Sequence, residues 1–258
     1  MNKILALDFD GVICDGLPEY FHSSRLTYEI IWQKSVDNLE ESRTTFNYLR
    51  PIIETGWEMP LIFRAMTIEK NPTILFNNWH EFVQRIIKND DISKDKIAHT
   101  LDIVRQEQIN NNLIKWLNLH QFYPQVINRI DKYIQENIKI YIITTKEGIF
   151  AKKLLENQQL ETDKITFWGK EQKRPKYESI RLIIDQEKVE ATDICFIEDR
   201  LEALETVSGQ SDLSGVRLFL ASWGYNTEKT RASVTPESGI KLLSLTDFTK
   251  GDIVNLFS

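Results

Sequence analysis

The sequence has few of the residues that mark extracellular, fibrous or membrane-spanning proteins. Its 258 residues include two cysteines, ten glycines and seven prolines. Cys14 and Cys195 are far apart and offer neither a disulfide framework nor a zinc-binding pair, which is typical of a reducing compartment. The low glycine and proline content excludes collagen-like repeats and long disordered linkers. No apolar run approaches the roughly 18 residues of a membrane span, and residues 1–12 lack the apolar segment of a secretion signal.

An excess of positive charge is also missing. The 32 lysines and arginines are outnumbered by 38 aspartates and glutamates, which gives a formal net charge of −6. Without a basic block the chain lacks the electrostatic signature of binding to nucleic acid or to an anionic membrane surface. An anionic small molecule is still a compatible partner, because a local pocket can be positive in an acidic protein. We therefore expect a cytoplasmic protein with a small-molecule partner and with no nucleic-acid or membrane partner.

Short apolar runs alternate with segments of helical period over most of the chain. The runs that predict strands are 3–7, 138–143, 164–168, 193–197 and 216–220. The segments that predict helices between them are 125–136, 147–157, 177–185 and 201–207. Strands that alternate with helices favour an α/β fold, here a Rossmann-like, doubly wound parallel sheet. One more apolar run, 240–245, precedes a small helix at the end of the chain.

A stretch of about a hundred residues after the first strand has helical patterns and almost no strand-like run. The helices predicted there are 19–34, 37–49, 73–88 and 94–108, with Pro72 in the first turn of the third and Ser93 capping the fourth. Such an insertion indicates a separate helical domain. We therefore predict a catalytic core of residues 1–16 and 120–258, and a helical cap of residues 17–119.

Two carboxylates end the first predicted strand. Asp8 and Asp10 are two residues apart, so in an extended chain both side chains lie on the same face, at the carboxyl edge of the sheet. Ligands of open α/β sheets bind at this edge. One carboxylate can then act as an ionised nucleophile and metal ligand while the other acts as a general acid. Gly11 permits a sharp turn and a close approach of the backbone to a ligand. An aspartate-rich turn without a function has the same pattern.

Two later loops contain hydroxyl and ammonium groups that can bind phosphate. Thr144 and Thr145 come after the strand 138–143, where a hydroxyl can bind a phosphate oxygen or cap a helix. Lys173 and Lys176 precede a predicted helix, where an ammonium can hold a phosphoryl group or simply lie in solvent.

A further acidic pair follows the strand 193–197. Glu198 and Asp199 offer hard oxygen ligands for Mg²⁺, although acids that begin a helix would look the same. The order Asp-x-Asp-Gly, Thr, Lys, Glu-Asp resembles the four motifs of the haloacid dehalogenase (HAD) superfamily. The resemblance covers residues 1–16 and about 120–230, and the helical insertion is similar to the type 1 cap of that superfamily.

The resemblance implies a phosphatase-type hydrolase that acts on a small phosphorylated metabolite through an aspartyl-phosphate. Asp8 would be the nucleophile, and Asp10 would protonate the leaving oxygen and then deprotonate water. Thr144 would donate a hydrogen bond to the phosphoryl group. The lysine of the superfamily falls on Lys176, with Lys173 as the alternative.

The same resemblance implies Mg²⁺ as cofactor. Asp8, the backbone carbonyl of Asp10, and Asp199 would bind the ion, and Glu198 would contribute directly or through water. The branch that cleaves carbon–halogen bonds lacks the second acid, so Asp10 disfavours that chemistry. A phosphomutase, a non-catalytic binding or regulatory protein, and a phosphonatase with a cap lysine are the alternatives on this fold.

Two further stretches, residues 49–60 and 223–226, are similar to phosphoglycolate-phosphatase-like proteins of photosynthetic organisms. Arg50 lies in the first of them, and its guanidinium would suit an anionic substrate. An arginine at the end of a helix without a ligand is the alternative.

Overall fold

The computed structural model describes residues 3–257, apart from the side chains of residues 253 and 255. The chain divides into two compact units. The core unit combines Met1–Asp15 with Phe122–Ser258, and the helical unit is Gly16–Gln121.

Strands and helices alternate in the core unit, whereas the helical unit contains six complete helices joined by loops and short 3-10 turns. The strands are β1 (Ile4–Leu7), β2 (Cys14–Asp15), β3 (Gln121–Phe122), β4 (Lys139–Ile143), β5 (Ile165–Trp168), β6 (Ile194–Glu198), β7 (Arg217–Ala221) and β8 (Ile240–Leu243). The helices are α1 (Leu17–Trp32), α2 (Leu39–Leu49), α3 (Met59–Met66), α4 (Pro72–Asn77), α5 (Trp79–Asn89), α6 (Lys94–Leu117), α7 (Val126–Gln135), α8 (Gly148–Glu156), α9 (Lys176–Glu187), α10 (Leu201–Ser208), α11 (Glu228–Ala232) and α12 (Leu245–Lys250). Short 3-10 turns lie at Arg50–Ile52, Gly56–Glu58, Thr162–Lys164, Lys170–Gln172, Ala191–Asp193, Ser211–Leu213, Pro236–Ser238 and Ile253–Leu256.

The core unit is built on a sheet of six parallel strands in the order β5-β4-β1-β6-β7-β8. In β1, Ile4 and Ala6 pack into a cluster with α9 and α10, while Leu5 and Leu7 point to the opposite face and are equally buried. A strand that is buried on both faces needs a continuous apolar run, which explains the sequence of β1. The predicted α/β class with a parallel, Rossmann-like sheet is therefore confirmed.

Strand β1 lies in the middle of the sheet, between β4 and β6. From β4 the chain continues to β5 on one side of β1, and from β6 it continues to β7 and β8 on the other side. The carboxyl end of β1 is consequently at the point where the strand order reverses, which is where open α/β sheets bind ligands.

The helical unit departs from the sequence prediction in three places. The segment predicted as one helix over 73–88 is two helices, α4 and α5, because the backbone of Asn78 leaves the helical region between them. Helix α6 continues to Leu117, beyond the predicted end at 108, and contains a non-helical residue, Asn112. Helix α3 was not predicted. The expected cap of α6 is confirmed, since Oγ of Ser93 accepts a hydrogen bond from the backbone N–H of Lys96 at 3.2 Å.

Aromatic side chains from three helices form the centre of the helical unit. The ring centroid of Phe21 on α1 lies 5.5 Å from that of Phe46 on α2 and 5.4 Å from that of Phe63 on α3. Tyr28 lies about two turns after Phe21 on α1, and its ring centroid is 5.8 Å from that of Phe63. Tilted and edge-on ring pairs at these distances add to the burial of the rings themselves, so this cluster gives the helical unit a core of its own.

Within the part of the chain that the structure describes, no helix combines the length and the apolar character that crossing a membrane requires.

Candidate active site

The ends of three adjacent strands bring the predicted motifs of the core unit together. Leu7 of β1 pairs in register with Ile142 of β4 and with Ile197 of β6. Asp8 therefore begins the loop that lies between the loops after β4 and β6, and its backbone N–H donates to the carbonyl of Ile197 at 2.9 Å. Parallel pairing thus places residues that are distant in sequence at one edge of the sheet.

The acidic residues at this edge form a buried cluster. Each of Asp8, Glu198 and Asp199 offers a carboxylate oxygen, and these oxygens all lie within 4.8 Å of one another. The three residues are 7%, 1% and 2% exposed. Asp10 belongs to the same loop as Asp8, and its Oδ1 is buried without a hydrogen-bond partner among the described residues.

The ammonium of Lys176, at the start of α9, contacts two members of this cluster. Its Nζ lies 2.8 Å from Oδ1 of Asp8 and is also hydrogen-bonded to Oε2 of Glu198. Lys173 is exposed at the end of the Lys170–Gln172 turn. Of the two lysines that the sequence left open, Lys176 is the one that contacts the acids.

Burial is the main cause of the raised pKa values of two carboxylates in the cluster. It raises the pKa of Asp8 to about 7, with a further contribution from the charge of Glu198, while Lys176 acts in the opposite direction. Burial also raises the pKa of Glu198 to about 7, and Lys176 again opposes the shift. Burial disfavours the charge of Lys176 itself, but the two carboxylates outweigh this effect and raise the pKa of its ammonium.

The donor set fits a divalent cation. Lys176 contacts two of the three buried carboxylates, and three carboxylates this close to one another concentrate negative charge when all of them are ionised. Carboxylate oxygens are the ligands that hard divalent cations prefer. The raised pKa values of Asp8 and Glu198 are the expected consequence of carboxylates that are buried without sufficient positive charge.

Asp199 is held in place by the loop after β7. Its Oδ2 accepts a hydrogen bond from the backbone N–H of Tyr225 at 2.8 Å, and its carbonyl accepts one from Nδ2 of Asn226 at 3.0 Å. Two glycines make room for it, because a Cβ on Gly11 would lie 2.0 Å from Oδ2 of Asp199, and one on Gly224 would lie 2.3 Å from its Cβ. Gly11 also has a φ of +87°, which an L side chain rarely adopts. The stretch 223–226, singled out in the sequence without an assigned role, is thus part of this site.

The loop after β4 contributes a hydroxyl and a second ammonium. Thr144 is buried, and its Oγ1 accepts a hydrogen bond from the backbone N–H of Lys146 at 3.1 Å. Nζ of Lys146 lies 3.4 Å from Oδ2 of Asp10. Sequence reasoning assigned no role to Lys146, although its place directly after Thr144 and Thr145 in a strand–helix loop was a usable signal. Thr145 itself is exposed.

Arg50 belongs to the helical unit. Its guanidinium carbon lies 5.4 Å from the ring centroid of Tyr20, and its Nη1 donates to the carbonyl of Ile53 at 3.3 Å. A role in contact with substrate stays a prediction for this residue.

Comparison with known proteins identifies the family. Residues 2–206 match the model of the haloacid dehalogenase-like hydrolases, whereas no curated protein matches the sequence. Among solved structures, a predicted phosphatase from Clostridium acetobutylicum is 13% identical with a TM-score of 0.63, and 99% of this chain aligns with 100% of that one. A predicted phosphoglycolate phosphatase from Haemophilus somnus is also 13% identical, with a TM-score of 0.61 and coverage of 99% and 98%. A candidate β-phosphoglucomutase from Thermotoga maritima is 16% identical, with a TM-score of 0.54 and coverage of 96% of both chains.

At these identities the solved structures show a shared fold, while the family match extends over most of the chain. The protein belongs to the haloacid dehalogenase-like hydrolases.

Proposed function

We propose that the protein is a Mg²⁺-dependent phosphomonoester hydrolase that acts on a small phosphorylated metabolite. The observation that carries the proposal is the buried cluster of Asp8, Glu198 and Asp199, in which Lys176 contacts Asp8. If these residues act as proposed, one site contains a nucleophile, a set of metal ligands and a phosphate-binding cation. Two similar solved structures, from Clostridium acetobutylicum and Haemophilus somnus, are described as predicted phosphatases, which supports the same assignment.

Mg²⁺ would be held by the carboxylates of Asp8 and Asp199 and by the backbone carbonyl of Asp10, with Glu198 contributing directly or through water. When bound, the ion would neutralise charge on the phosphoryl oxygens and reduce their repulsion with the carboxylates. The hydrogen bond from Tyr225 to Asp199 supports this role, because it fixes the orientation of a carboxylate ligand.

Asp8 would supply the nucleophile. One of its carboxylate oxygens attacks phosphorus, the bond between phosphorus and the ester oxygen breaks, and an aspartyl-phosphate forms. Water then attacks phosphorus and breaks the bond to Asp8, which regenerates the carboxylate and releases inorganic phosphate. The contact with Lys176 favours the ionised carboxylate that the first step requires.

Asp10 would move the protons of both steps. It would give a proton to the departing ester oxygen and then take one from the attacking water, so that it returns to its starting state. Its Oδ1 accepts no hydrogen bond from a described residue, which leaves that atom for the leaving oxygen or the water. Lys146, 3.4 Å from Oδ2, would hold the other oxygen in position.

The phosphoryl oxygens would be bound by Thr144 and Lys176, with Gly11 and Thr145 beside them. The buried hydroxyl of Thr144 accepts from the N–H of Lys146, so its own proton is left for a phosphoryl oxygen. The ammonium of Lys176 would stabilise negative charge that develops on the phosphoryl group.

A phosphomutase is the second candidate. The similarity to the candidate β-phosphoglucomutase from Thermotoga maritima favours it, and such an enzyme uses the same two acids. It would return the phosphoryl group of Asp8 to the substrate rather than to water.

Phosphate release from an aryl phosphate and from a panel of metabolite phosphates tests the proposal. We expect turnover with Mg²⁺, none with EDTA, and loss of at least about a thousandfold in Asp8→Asn, because the nucleophile is removed. Asp163→Asn is the matched control, since this aspartate has a side chain that is 96% exposed, and it should retain full activity.

The outcomes separate the candidates. Isomerised sugar phosphate without net phosphate release would identify a phosphomutase. Absence of phosphate release from every compound of the panel, or an Asp8→Asn variant as active as the wild type, would contradict a hydrolase of this mechanism.

A further inference from the structure

A cavity in the core unit lies next to the acidic cluster and has a different electrostatic character. It has a volume of about 290 Å³ and is formed by the end of β4, the segment between β5 and α9, and the first turn of α9. The residues that line it include four basic ones, Lys170, Lys173, Arg174 and Lys176, and the described lining contains no acidic residue. Thr144 lines it as well.

Two of these four cations have no carboxylate partner among the described residues. Lys176 is neutralised by Asp8 and Glu198, and Lys170 forms an ion pair of 2.8 Å with Glu147. Over residues 3–257, Lys173 and Arg174 form no salt bridge. The cavity therefore has an excess of positive charge, which a bound anion would compensate.

Neutral groups hold the guanidinium of Arg174 in a fixed position. Its carbon Cζ lies 4.5 Å from the ring centroid of Trp168, Nε donates to Oγ of Ser179 at 3.1 Å, and Nη2 donates to Oε1 of Gln172 at 3.2 Å. Nη1 has no partner among the described side chains. A planar guanidinium that is oriented in advance and keeps unused N–H groups is well suited to bind a phosphate or carboxylate.

The start of α9 adds to the positive potential. Pro175, Lys176 and Ser179 line the cavity, and no side chain caps this twelve-residue helix. The first N–H groups of a helix carry partial positive charge and commonly bind anions. Two unpaired cations and a helix end thus converge on one cavity.

We propose that this cavity is a second anion site and that it binds a phosphate group. The phosphate is either a second one carried by the substrate or a free inorganic phosphate ion. The first of these sources rests on the proposed function, because Thr144 and Lys176 would belong to both sites and a bisphosphate could extend from one to the other. A volume of about 290 Å³ is at the small end of ligand pockets, roughly 300–1,000 Å³, and suits a single small anion.

Calorimetric titration of the full-length protein with inorganic phosphate in EDTA tests the site without any need for turnover. The metal-free acidic cluster repels phosphate, so that saturable binding under these conditions reports the basic cavity. We expect one phosphate per chain in the wild type and binding weakened about tenfold or more in Lys173→Gln and in Arg174→Gln, since each removes a charged donor.

Lys188→Gln is the matched control for Lys173→Gln. Both lysines are exposed, and both have a left-handed backbone, with φ of 54° at Lys188 and 50° at Lys173. The control should bind phosphate like the wild type. Absence of saturable binding in the wild type, or equal weakening in Lys188→Gln, would overturn the proposal whether or not the protein is a phosphatase.

A second experiment distinguishes the two sources of phosphate. Propyl phosphate and 1,3-propanediol bisphosphate are compared as inhibitors of aryl phosphate turnover in Mg²⁺. If the bisphosphate binds about tenfold more tightly in the wild type and loses this advantage in Lys173→Gln, the site takes a second phosphate of the substrate. Equal inhibition, together with phosphate binding in EDTA, would assign the cavity to the free ion.

Discussion

Replacement of Lys176 by methionine is the substitution whose effect the structure defines most closely. The variant keeps most of the side-chain volume but removes the ammonium that contacts both Asp8 and Glu198. The side chains of Lys176, Asp8 and Glu198 are 16%, 10% and 1% exposed, so water cannot replace the lost cation. Removal of one partner from such a buried ion pair costs about 3–5 kcal/mol. For a protein of this size that corresponds to roughly 6–20 °C in Tm.

The size of this loss depends on pH. The folded-state pKa values of Asp8 and Glu198, both about 7, are above their ordinary values. Between about pH 4 and 7 the folded state therefore binds more protons than the unfolded chain, and the contribution of these groups to stability falls as the pH rises. Without Lys176 both carboxylates hold their protons more tightly. We expect the full penalty at pH 8, where the wild-type carboxylates are ionised and paired, and a smaller penalty at pH 5, where protonation makes the ammonium unnecessary.

Urea unfolding in EDTA at pH 8 and pH 5 measures both effects. Lys173→Met is the control, because Lys173 is exposed and forms no salt bridge within residues 3–257; it should change the unfolding free energy by less than about 0.5 kcal/mol. If the two variants are equally stable at pH 8, or if the penalty for Lys176→Met is the same at both pH values, the account of the acidic cluster is wrong.

Three further predictions concern the same edge of the sheet. Gly11→Ala should destabilise the protein by about 2 kcal/mol or more and abolish activity, because its φ is +87° and the new Cβ would lie 2.0 Å from Oδ2 of Asp199; thermal unfolding checks this against Gly56→Ala, where nothing lies within 4 Å. Mg²⁺ at a hundred times its dissociation constant should add about 2.7 kcal/mol of stability at pH 8, and calorimetry should show a smaller gain in Asp199→Asn and at pH 5, where protons compete for the ligands. Lys146→Met should lower kcat on the order of tenfold with little change in KM, since the 3.4 Å ion pair that orients Asp10 is lost; partial rescue by Lys146→Arg is expected, and an unchanged kcat would contradict this role.

The sequence predicted much of the core unit because its signals are local. A parallel strand that is buried on both faces must be an uninterrupted apolar run, and polar residues must begin where it ends. Asp8, Thr144 and Glu198 could therefore be placed at strand ends from the printed sequence alone. The helical unit was less predictable, since the break at Asn78 and the extension of α6 to Leu117 depend on packing rather than on a local stop signal.

The sequence by itself determined the fold class and the residues that follow each central strand. Only the tertiary structure decided which of them touch. Lys176 rather than Lys173 contacts the acids, across a sequence separation of 22 residues to Glu198, and Tyr225 orients Asp199 across 26. The physical reason is that hydrophobic periodicity repeats within a few residues and is visible in any short segment, whereas a contact between loops depends on the register of the strands that carry them.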